Sequence, residues 1–551
     1  MRRSARNRIG SAIAAGLALV LVAAAVGCSD DEPTVDPPTT LAEEIELVDL
    51  RGKASGGNYP EVGIRVVDNE FVDGAVRIDP GVTVSWTNDG RVDHNIVVTG
   101  DGPAFGVEAS SFAAGQEHEF RFTEPGVYPY FCSLHGSAAG GMTGAVVVGD
   151  VPATQRGSRA VPDGPPKTIT VPDDEPSIQA AVDSVPPGSL VLVEPGTYQE
   201  EVVITTDRLV LRGLDRDETV LDGGGTLNNG VLVLADGVAV ENLTARDYQV
   251  NGFMWHGVTG FRGSYLTALD NRFYGIYAFD SIHGVFEHSY AAGSTDSGFY
   301  VGQCDPCETL VTDVVAEGNQ LGFSGVNVSD GLSVVESTWR GNRAGIVLAS
   351  FDNELLAPQH GAVVAGNLVD GAGAADGPQK VEGSLDLDLL FGIGIAVIGG
   401  LDDVVVANRV FDWPRAGIAL APNPQLQENF WPAQRNRVEG NEVSGSGMFD
   451  LGLVALPDAG ANCFVGNRFA SSAPIDLEEA LPCDRVGTGD VTTGAVDLAS
   501  YLQLVAPTPA PRGPSRPPPQ PEMPRASSAP AEPATDVDVE IDIDRISVPR
   551  S

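Results

Sequence analysis

Residues 128–135 read Tyr-Pro-Tyr-Phe-Cys-Ser-Leu-His, Met142 follows them, and Asp-His-Asn occupies 93–95. These stretches bring together two imidazoles, a thiolate and a thioether, from His94, Cys132, His135 and Met142. Soft sulfur ligands prefer Cu(I), imidazole suits copper, and a weak axial thioether tunes the reduction potential. The set therefore predicts a type 1 copper site, which passes single electrons rather than making or breaking bonds.

The residues around this motif, from 45 to 149, alternate between apolar and polar side chains as β-strands do. The clearest alternating segments are 82–86, 119–123, 126–131 and 144–149. Turn signals rich in Pro, Asp and Gly separate these segments. Many short strands within about 100 residues favour an antiparallel β-sandwich.

The motifs of this region resemble the plastocyanin family of cupredoxins, and they occur in the same order. They are Val-Ser-Trp-Thr-Asn at 84–88, His-Asn at 94–95, Gly-Val-Tyr-Pro-Tyr-Phe-Cys-Ser-Leu-His-Gly at 126–136 and Met-Thr-Gly at 142–144. The resemblance implies that copper is held by His94, Cys132, His135 and Met142. It also implies that Asn95 braces the loop that carries the cysteine. The sequence departs in one place, because the loop from His135 to Met142 is two residues longer than in common plastocyanins.

The first 27 residues have the features of an export signal. Arginines precede an apolar run, and small residues lead to Cys28. Ala-Val-Gly-Cys at 25–28 resembles a bacterial lipobox, which implies lipid attachment at Cys28 and a polar, proline-rich tether at 28–44. No other run is long and apolar enough to span a bilayer, so the lipid would be the only membrane attachment. An ordinary signal peptide and an uncleaved anchor are the alternatives.

A glycine-rich repeat fills residues 167–486, after a Pro/Gly-rich linker at 150–166. Segments that begin with Gly and an apolar residue recur every 22 to 24 residues from Gly230 to Gly345. Turns with Asn recur as well, at Asn271, Asn319, Asn342, Asn408, Asn441 and Asn467. Short apolar strands with this period predict a right-handed parallel β-helix, in which stacked Asn side chains bond to the turns. The opening stretch resembles the amino-terminal cap of pectin-lyase-like folds, and the whole chain is predicted to be all-β.

Four cysteines remain when Cys28 is assigned to lipid and Cys132 to copper. In an exported chain an even number favours disulfides, which we predict between Cys304 and Cys307 and between Cys463 and Cys483. Metal or redox chemistry is the alternative for Cys304-Asp-Pro-Cys307. A single pair makes a poor zinc site, and no helix pattern follows it as in a thioredoxin-like motif.

The formal net charge of −42 argues against nucleic acid as a partner, because a nucleic-acid binder must neutralise phosphates. Basic or neutral partners, cations or simple solubility fit this charge better. Residues 487–551 are rich in Pro, Ala and Ser and are predicted to remain unfolded.

The leading hypothesis is an exported copper protein that transfers single electrons, with a β-helix that binds an unidentified redox partner protein or a glycan. The alternatives are a polysaccharide lyase or hydrolase with an auxiliary copper domain, and a copper-delivery protein. Candidate polar residues for glycan chemistry are Asp247, His256, Arg262, Asp270, Asp280, His283, His288 and Asp296. Asp386 and Asp388 could bind calcium, or simply belong to a solvated loop.

Overall fold

The computed structural model describes most of the chain from residue 42 onward. The described ranges are 42–44, 47–53, 61–100, 102–156, 161–352, 354–378, 387–423, 430–454, 461–488, 490–497, 501, 506–508 and 515–550. The predicted signal peptide at 1–27, Cys28, most of the tether at 28–44, and Asp386 lie outside them. No helix in the described ranges is long and apolar enough to cross a bilayer.

The first folded part is a β-sandwich of two sheets. The larger sheet contains, in spatial order, Val48–Asp49, Ala75–Ile78, Gly140–Val148, Gly126–Ser137 and Val97–Val98. The smaller sheet contains Glu70–Val72, Glu61–Val67, Val82–Asn88 and Glu117–Phe122. A 3-10 turn spans Ala109–Ser111, and a separate antiparallel pair joins Ala42–Glu44 to Thr154–Arg156.

The sheets of the sandwich are mixed, whereas the sequence predicts antiparallel pairing. Ala75–Ile78 pairs in parallel with Gly140–Val148, and Glu61–Val67 pairs in parallel with Val82–Asn88. Alternating side chains mark a strand with one buried face whichever way its neighbour runs, so the pattern does not distinguish the two pairings.

The second folded part is a parallel β-helix with three faces, and most coils give one strand to each face. The first face consists of Thr168–Val171, Leu190–Val193, Val210–Gly213, Val238–Glu241, Thr259–Ser264, Ile282–Glu287, Thr309–Thr312, Leu332–Val335, Val363–Ala365, Val404–Val406, Arg437–Glu439 and Cys463–Val465. The second face consists of Gly196–Tyr198, Thr219–Asp222, Thr244–Arg246, Thr267–Leu269, Tyr290–Ala292, Val315–Glu317, Thr338–Arg340, Leu368–Asp370, Arg409–Phe411 and Glu442–Ser444. The third face consists of Val202–Ile204, Asn229–Val233, Asn251–His256, Tyr274–Phe279, Ser297–Cys304, Leu321–Val328, Ala344–Ala349, Ile393–Ile398, Ala416–Ala421, Phe449–Leu453 and Ser472–Ala473.

Short helices accompany these strands. The α-helix Ile178–Asp183 precedes the complete coils, and the Ser177 side chain caps it by accepting from the Ala180 backbone N–H. The other helices are the α-helix Leu477–Ala480 and 3-10 turns at Ala374–Asp376, Leu387–Leu390 and Ile543–Arg545. The all-β prediction of a sandwich followed by a parallel β-helix is confirmed.

Identical register on successive coils builds the core of the β-helix. On the third face, Phe253 pairs with Ile276, which pairs with Phe299, then Phe323 and Ile346. All five side chains are buried. Because each coil repeats the inward pattern of the last, one continuous apolar column forms, and no coil could bury its inward face alone.

Asparagine side chains stack along the corners of the β-helix, as the repeated Asn turns predict. Asn408 Oδ1 accepts from the backbone N–H of Asn367 at 2.9 Å, and Asn408 N–H donates to Asn441 Oδ1 at 2.9 Å. A second ladder at another corner contains an aspartate: Asp403 N–H donates to Asn436 Oδ1 at 2.9 Å. Asp403 is fully buried, and burial raises its pKa to about 7.

Residues 515–550 lie against the β-helix, although their composition predicts an unfolded tail. The guanidinium of Arg212, which is 1% exposed, donates to the carbonyls of Ala529 at 2.7 Å and Pro530 at 2.9 Å. Ala534 is fully buried. A proline-rich backbone keeps every carbonyl acceptor, and buried arginines of the β-helix donate hydrogen bonds to these carbonyls. Composition alone does not reveal that these donors and acceptors meet.

Candidate metal centre

The predicted copper ligands come from neighbouring segments of the sandwich. His94 lies in a loop, Cys132 and His135 lie in the strand Gly126–Ser137, and Met142 lies in the strand that follows. In the parts of the chain that the structure describes, only two groups of three or more His, Cys, Asp or Glu side chains could hold a metal ion. One is His94, Cys132 and His135, all buried; the other is an exposed trio of glutamates.

Three donor atoms converge on one point. Cys132 Sγ lies 3.8 Å from His94 Nδ1 and 3.6 Å from His135 Nδ1, and the two Nδ1 atoms are 3.2 Å apart. A point equidistant from the three atoms is about 2.1 Å from each, which is close to the bond lengths of nitrogen and thiolate ligands to a transition metal. The residues therefore fit a single copper ion.

The electrostatics of the site stabilise the thiolate of Cys132 and a proton on His94. Burial opposes the Cys132 thiolate, but the imidazoles of His135 and His94 outweigh it and hold the pKa of Cys132 well below its usual value. Burial likewise opposes charge on His94, yet Asp68 and Cys132 raise the pKa of His94 to about 9, so a metal ion must displace a proton from this imidazole when it binds. A stabilised thiolate is the form that binds copper.

Met142 is 1% exposed and belongs to the same apolar cluster as Cys132. The longer loop before it forms a hairpin, in which Gly140 pairs with Ser137 and Gly141 pairs with Gly136. Gly141 has a φ of 81°, and a Cβ there would lie 2.8 Å from the Gly136 Cα, so both the turn and the close approach require glycine. The extra residues thus extend the hairpin.

Asn95 links the His94 loop to the cysteine strand. Its Nδ2 donates to Ser133 Oγ at 2.8 Å, and its Oδ1 accepts from the Ser133 backbone N–H at 2.8 Å. Ser133 follows Cys132 directly. The two bonds therefore fix the separation of the segments that carry His94 and Cys132, as the resemblance implies for Asn95.

The sandwich rests on the third face of the β-helix. Consecutive coils there place large apolar side chains at outward positions, and all are buried: Leu232, Met254, Tyr277 and Tyr300. The hairpin tip of the metal centre also reaches this face, where Leu234 lies beside Gly140. Part of the β-helix surface is therefore occupied by the copper domain of the same chain.

Polar contacts fix the same interface beside the metal centre. Asn69 Nδ2 donates to the Tyr277 hydroxyl at 2.6 Å. Arg91 bridges the two parts, because it donates to Asp68 at 2.6 Å and to Glu354 of the β-helix at 2.6 Å. Sequence reasoning missed these residues. The usable signal was the run of outward apolar residues on adjacent coils, since an exposed face would carry polar side chains.

The residues predicted for glycan chemistry do not form one site. His256 lies beside the copper domain, because its Nε2 is 3.4 Å from the Asn69 carbonyl, whereas Asp296 is only 3% exposed. Arg262 and Asp270 contact the carboxy-terminal segment. The rest are dispersed: His283 pairs with Glu308, His288 pairs with Asp313, and Asp247 and Asp280 lie at coil corners with positive φ.

The calcium hypothesis receives no support from Asp388, because this carboxylate accepts from Arg343 at 2.9 Å. Its predicted companion, Asp386, lies outside the described residues. The structure joins Cys304 to Cys307 and Cys463 to Cys483 as disulfides, and Cys132 is the free cysteine of the described part.

Comparison with known proteins places the sandwich in a family. The model of the copper binding proteins of the plastocyanin/azurin family matches residues 61–149. Plastocyanin from Scenedesmus fuscus is 34% identical over 85 residues, which are 14% of this chain and 85% of that protein. Chloroplastic plastocyanin from Tetradesmus obliquus is 36% identical over 85 residues, which are 14% of this chain but only 57% of that protein.

Through its sandwich, this chain belongs to the plastocyanin/azurin family of copper-binding proteins, and its cofactor is one copper ion. For the β-helix, a similar solved structure is the A-module of a mannuronan C-5 epimerase from Azotobacter vinelandii. It is 18% identical, with 58% of this chain and 95% of that chain covered, at a TM-score of 0.38. A likeness at this level carries no information about what the β-helix binds.

Proposed function

We propose that this chain is an exported protein that transfers single electrons through one type 1 copper ion, held by His94, Cys132, His135 and Met142. Copper in such a donor set supplies a reversible one-electron couple. The protein side chains hold the thiolate and both imidazoles in place and keep water away from them.

The observation that supports electron transfer is the burial of the complete donor set. His94 and Cys132 are fully buried, Met142 is 1% exposed and His135 is 6% exposed. Bond-making metal sites keep a coordination position open for substrate. Here the donor atoms are enclosed by strands and by the β-helix, so a substrate molecule has no access, whereas an electron can still tunnel.

The test is spectroscopic. The full chain loaded with copper should absorb intensely in the visible range through thiolate-to-copper charge transfer, and it should bleach reversibly on reduction. Cys132→Ser should abolish the colour, and Cys132 is the right target because it is free and fully buried. His118→Ala, which changes a histidine outside the donor set, should remain blue. A blue Cys132→Ser variant would remove the proposal.

We extend the proposal to the location of the protein, with lipid attachment at Cys28 after export. The basic and apolar leader and the Ala-Val-Gly-Cys sequence support it. Metabolic labelling with a fatty acid should mark the wild-type chain and not Cys28→Ser. Equal labelling of the wild type and the variant would show that Cys28 is not the lipid attachment site, and the leader would then be an ordinary signal peptide or an anchor.

In this proposal the β-helix is a rigid platform that carries the copper domain. Its remaining surface would bind a redox partner protein or a glycan, with basic or neutral partners favoured by the net charge of −42. A binding screen with acidic and neutral polysaccharides tests the glycan part, and product formation in it would favour the lyase or hydrolase alternative.

A further inference from the structure

A continuous series of contacts leads from the metal centre into the β-helix. His94 Nε2 lies 3.9 Å from Asp68 Oδ1. The next residue, Asn69, donates from its side chain to the Tyr277 hydroxyl at 2.6 Å. The Tyr277 and Tyr274 rings are stacked, with centroids 4.5 Å apart and planes 20° apart. Apart from the 3.9 Å gap between His94 and Asp68, every step is a covalent link or a direct contact.

Tyr274 is the most exposed tyrosine of this series. Tyr277 is 1% exposed, whereas Tyr274 is only partly buried. A branch to Tyr300, whose ring centroid is 4.6 Å from that of Tyr277, ends in the interior because Tyr300 is 3% exposed. Tyr274 is therefore the member of the cluster where an electron could pass to a molecule in solution.

The copper domain provides no fully exposed ligand to compete with this route. Among the four predicted ligands, His135 is the most exposed, at 6%, and Phe273 and Tyr274 of the β-helix line the same small cavity as His135. The β-helix thus occupies the side of the metal centre at which the ligands come nearest to solvent.

We propose that Tyr277 and Tyr274 conduct electrons between the copper and the outer surface of the β-helix. The inference rests on the proposed electron-transfer function and specifies its route. The rings act as a tunnelling medium and hold no charge themselves. Copper gains or loses one electron, the external reagent loses or gains the same electron, and no bond is made or broken. A cationic partner suits the strongly acidic chain.

The experiment measures how fast hexaammineruthenium(II), a small cationic reductant, bleaches the copper-loaded full chain in a stopped-flow instrument. Tyr274→Leu removes the surface ring and should slow bleaching by about tenfold, which corresponds to ~1.4 kcal/mol in the barrier. Tyr274→Phe keeps the ring and should react at the wild-type rate. Tyr265→Leu is the matched control, because Tyr265 is also a partly buried β-helix tyrosine but its ring contacts His288, with centroids 4.6 Å apart.

A change in bleaching rate reports on the route only if the colour and the reduction potential of the variant equal those of the wild type. An unchanged rate in Tyr274→Leu would overturn the proposal, since electrons would then pass elsewhere, for example through the His135 edge. A slow rate accompanied by a changed potential would also overturn it, because the residue would then only support the metal centre. An equal loss in Tyr274→Phe and Tyr274→Leu would exclude conduction by the ring.

A second variant tests the inner step. Tyr277→Phe keeps the stacked ring but removes the hydroxyl that Asn69 bonds, so the rate should fall while the colour persists. Failure of the chain to turn blue at all would contradict the proposed function instead, and is thereby distinguished from failure of the route.

Discussion

Arg91 of the copper domain and Glu354 of the β-helix form an ion pair across the interface, with Nη2 and Oε1 2.6 Å apart. Their side chains are 11% and 1% exposed. The same guanidinium also bonds to Asp68, which lies beside His94. One arginine therefore connects the domain interface to the surroundings of the metal centre.

Removal of Arg91 should destabilise the protein strongly. Arg91→Leu removes the buried guanidinium that Asp68 and Glu354 share, which costs about 3–5 kcal/mol in the free energy of unfolding. Glu354→Gln should cost about 1 kcal/mol or less, because the amide oxygen can still accept from Arg91 and burial already raises the pKa of Glu354 to about 7. Urea unfolding checks both. Arg65→Leu, which removes the exposed pair with Asp89, is the control and should lower the free energy of unfolding by less than about 1 kcal/mol. Equal losses of stability in all three variants would contradict the interface role of Arg91.

Asp403 should make stability depend on pH. Its pKa is raised by burial from 3.8 to about 7, so between those values the folded state holds a proton that the unfolded state has released. The contribution of Asp403 to the free energy of unfolding is therefore most favourable below about pH 4, becomes less favourable as the pH rises towards 7, and stays at its least favourable value above pH 7. Asp403→Asn should remove this slope and add about 2–4 kcal/mol at pH 8. Urea unfolding at pH 4.5 and pH 8 measures it.

The physical basis is the ladder position of Asp403. Its Oδ1 accepts from Gln359 Nε2 at 2.6 Å, while in the described structure Asp403 Oδ2 and Gln359 Oε1 have no hydrogen-bond partner. Asparagine would supply the missing donor without a charge. The neighbouring Asp402→Asn is the control. Arg435 holds the pKa of Asp402 low, so the charged form of Asp402 stabilises the fold, and Asp402→Asn should lower the free energy of unfolding slightly instead of raising it. A pH slope that persists in Asp403→Asn would contradict the assignment.

Met142→Leu should keep the blue colour and raise the reduction potential. Leucine replaces the weak thioether ligand with an apolar side chain that does not coordinate, and a more apolar site disfavours the more highly charged Cu(II), whereas the charge-transfer band depends on Cys132. A potentiometric titration followed at the visible band gives the value. Met448→Leu, at a methionine that is 39% exposed, should leave the potential unchanged. A potential that Met142→Leu leaves unchanged would remove Met142 from the ligand set.

Arg212→Leu should release the carboxy-terminal segment. The variant loses the donors to Ala529 and Pro530, so residues near them should open more often. Trypsin should then cut faster after Arg525, as measured by mass spectrometry of timed digests. Arg435→Leu, which is exposed and pairs with Asp402, should leave that rate unchanged. Rapid cutting of the wild-type chain at the same site would contradict the observed packing.

The coil repeat and the sandwich were predictable because their signals are local and recur. Gly230 and Gly252 mark successive coils of the third face, and the Asn turns recur because each Asn side chain bonds to the backbone of the neighbouring coil at the same corner. The mixed pairing of the sandwich and the ordered segment 515–550 were not predictable. Alternation does not encode strand direction, and proline-rich composition does not reveal that Arg212 donates hydrogen bonds to the carbonyls of this segment.

The donor chemistry of the metal centre is written in the residue types themselves: a cysteine and a histidine three positions apart, a methionine soon after, and a histidine upstream can suit copper wherever the chain places them. The sequence also determined the period of the β-helix, because burial of an inward face repeats with each coil. Only the tertiary structure decided that Tyr277 and Glu354 meet Asn69 and Arg91. The physical reason is that this contact depends on how two parts of the chain dock, and a run of outward apolar residues on a solenoid indicates that the face is covered without specifying which surface covers it.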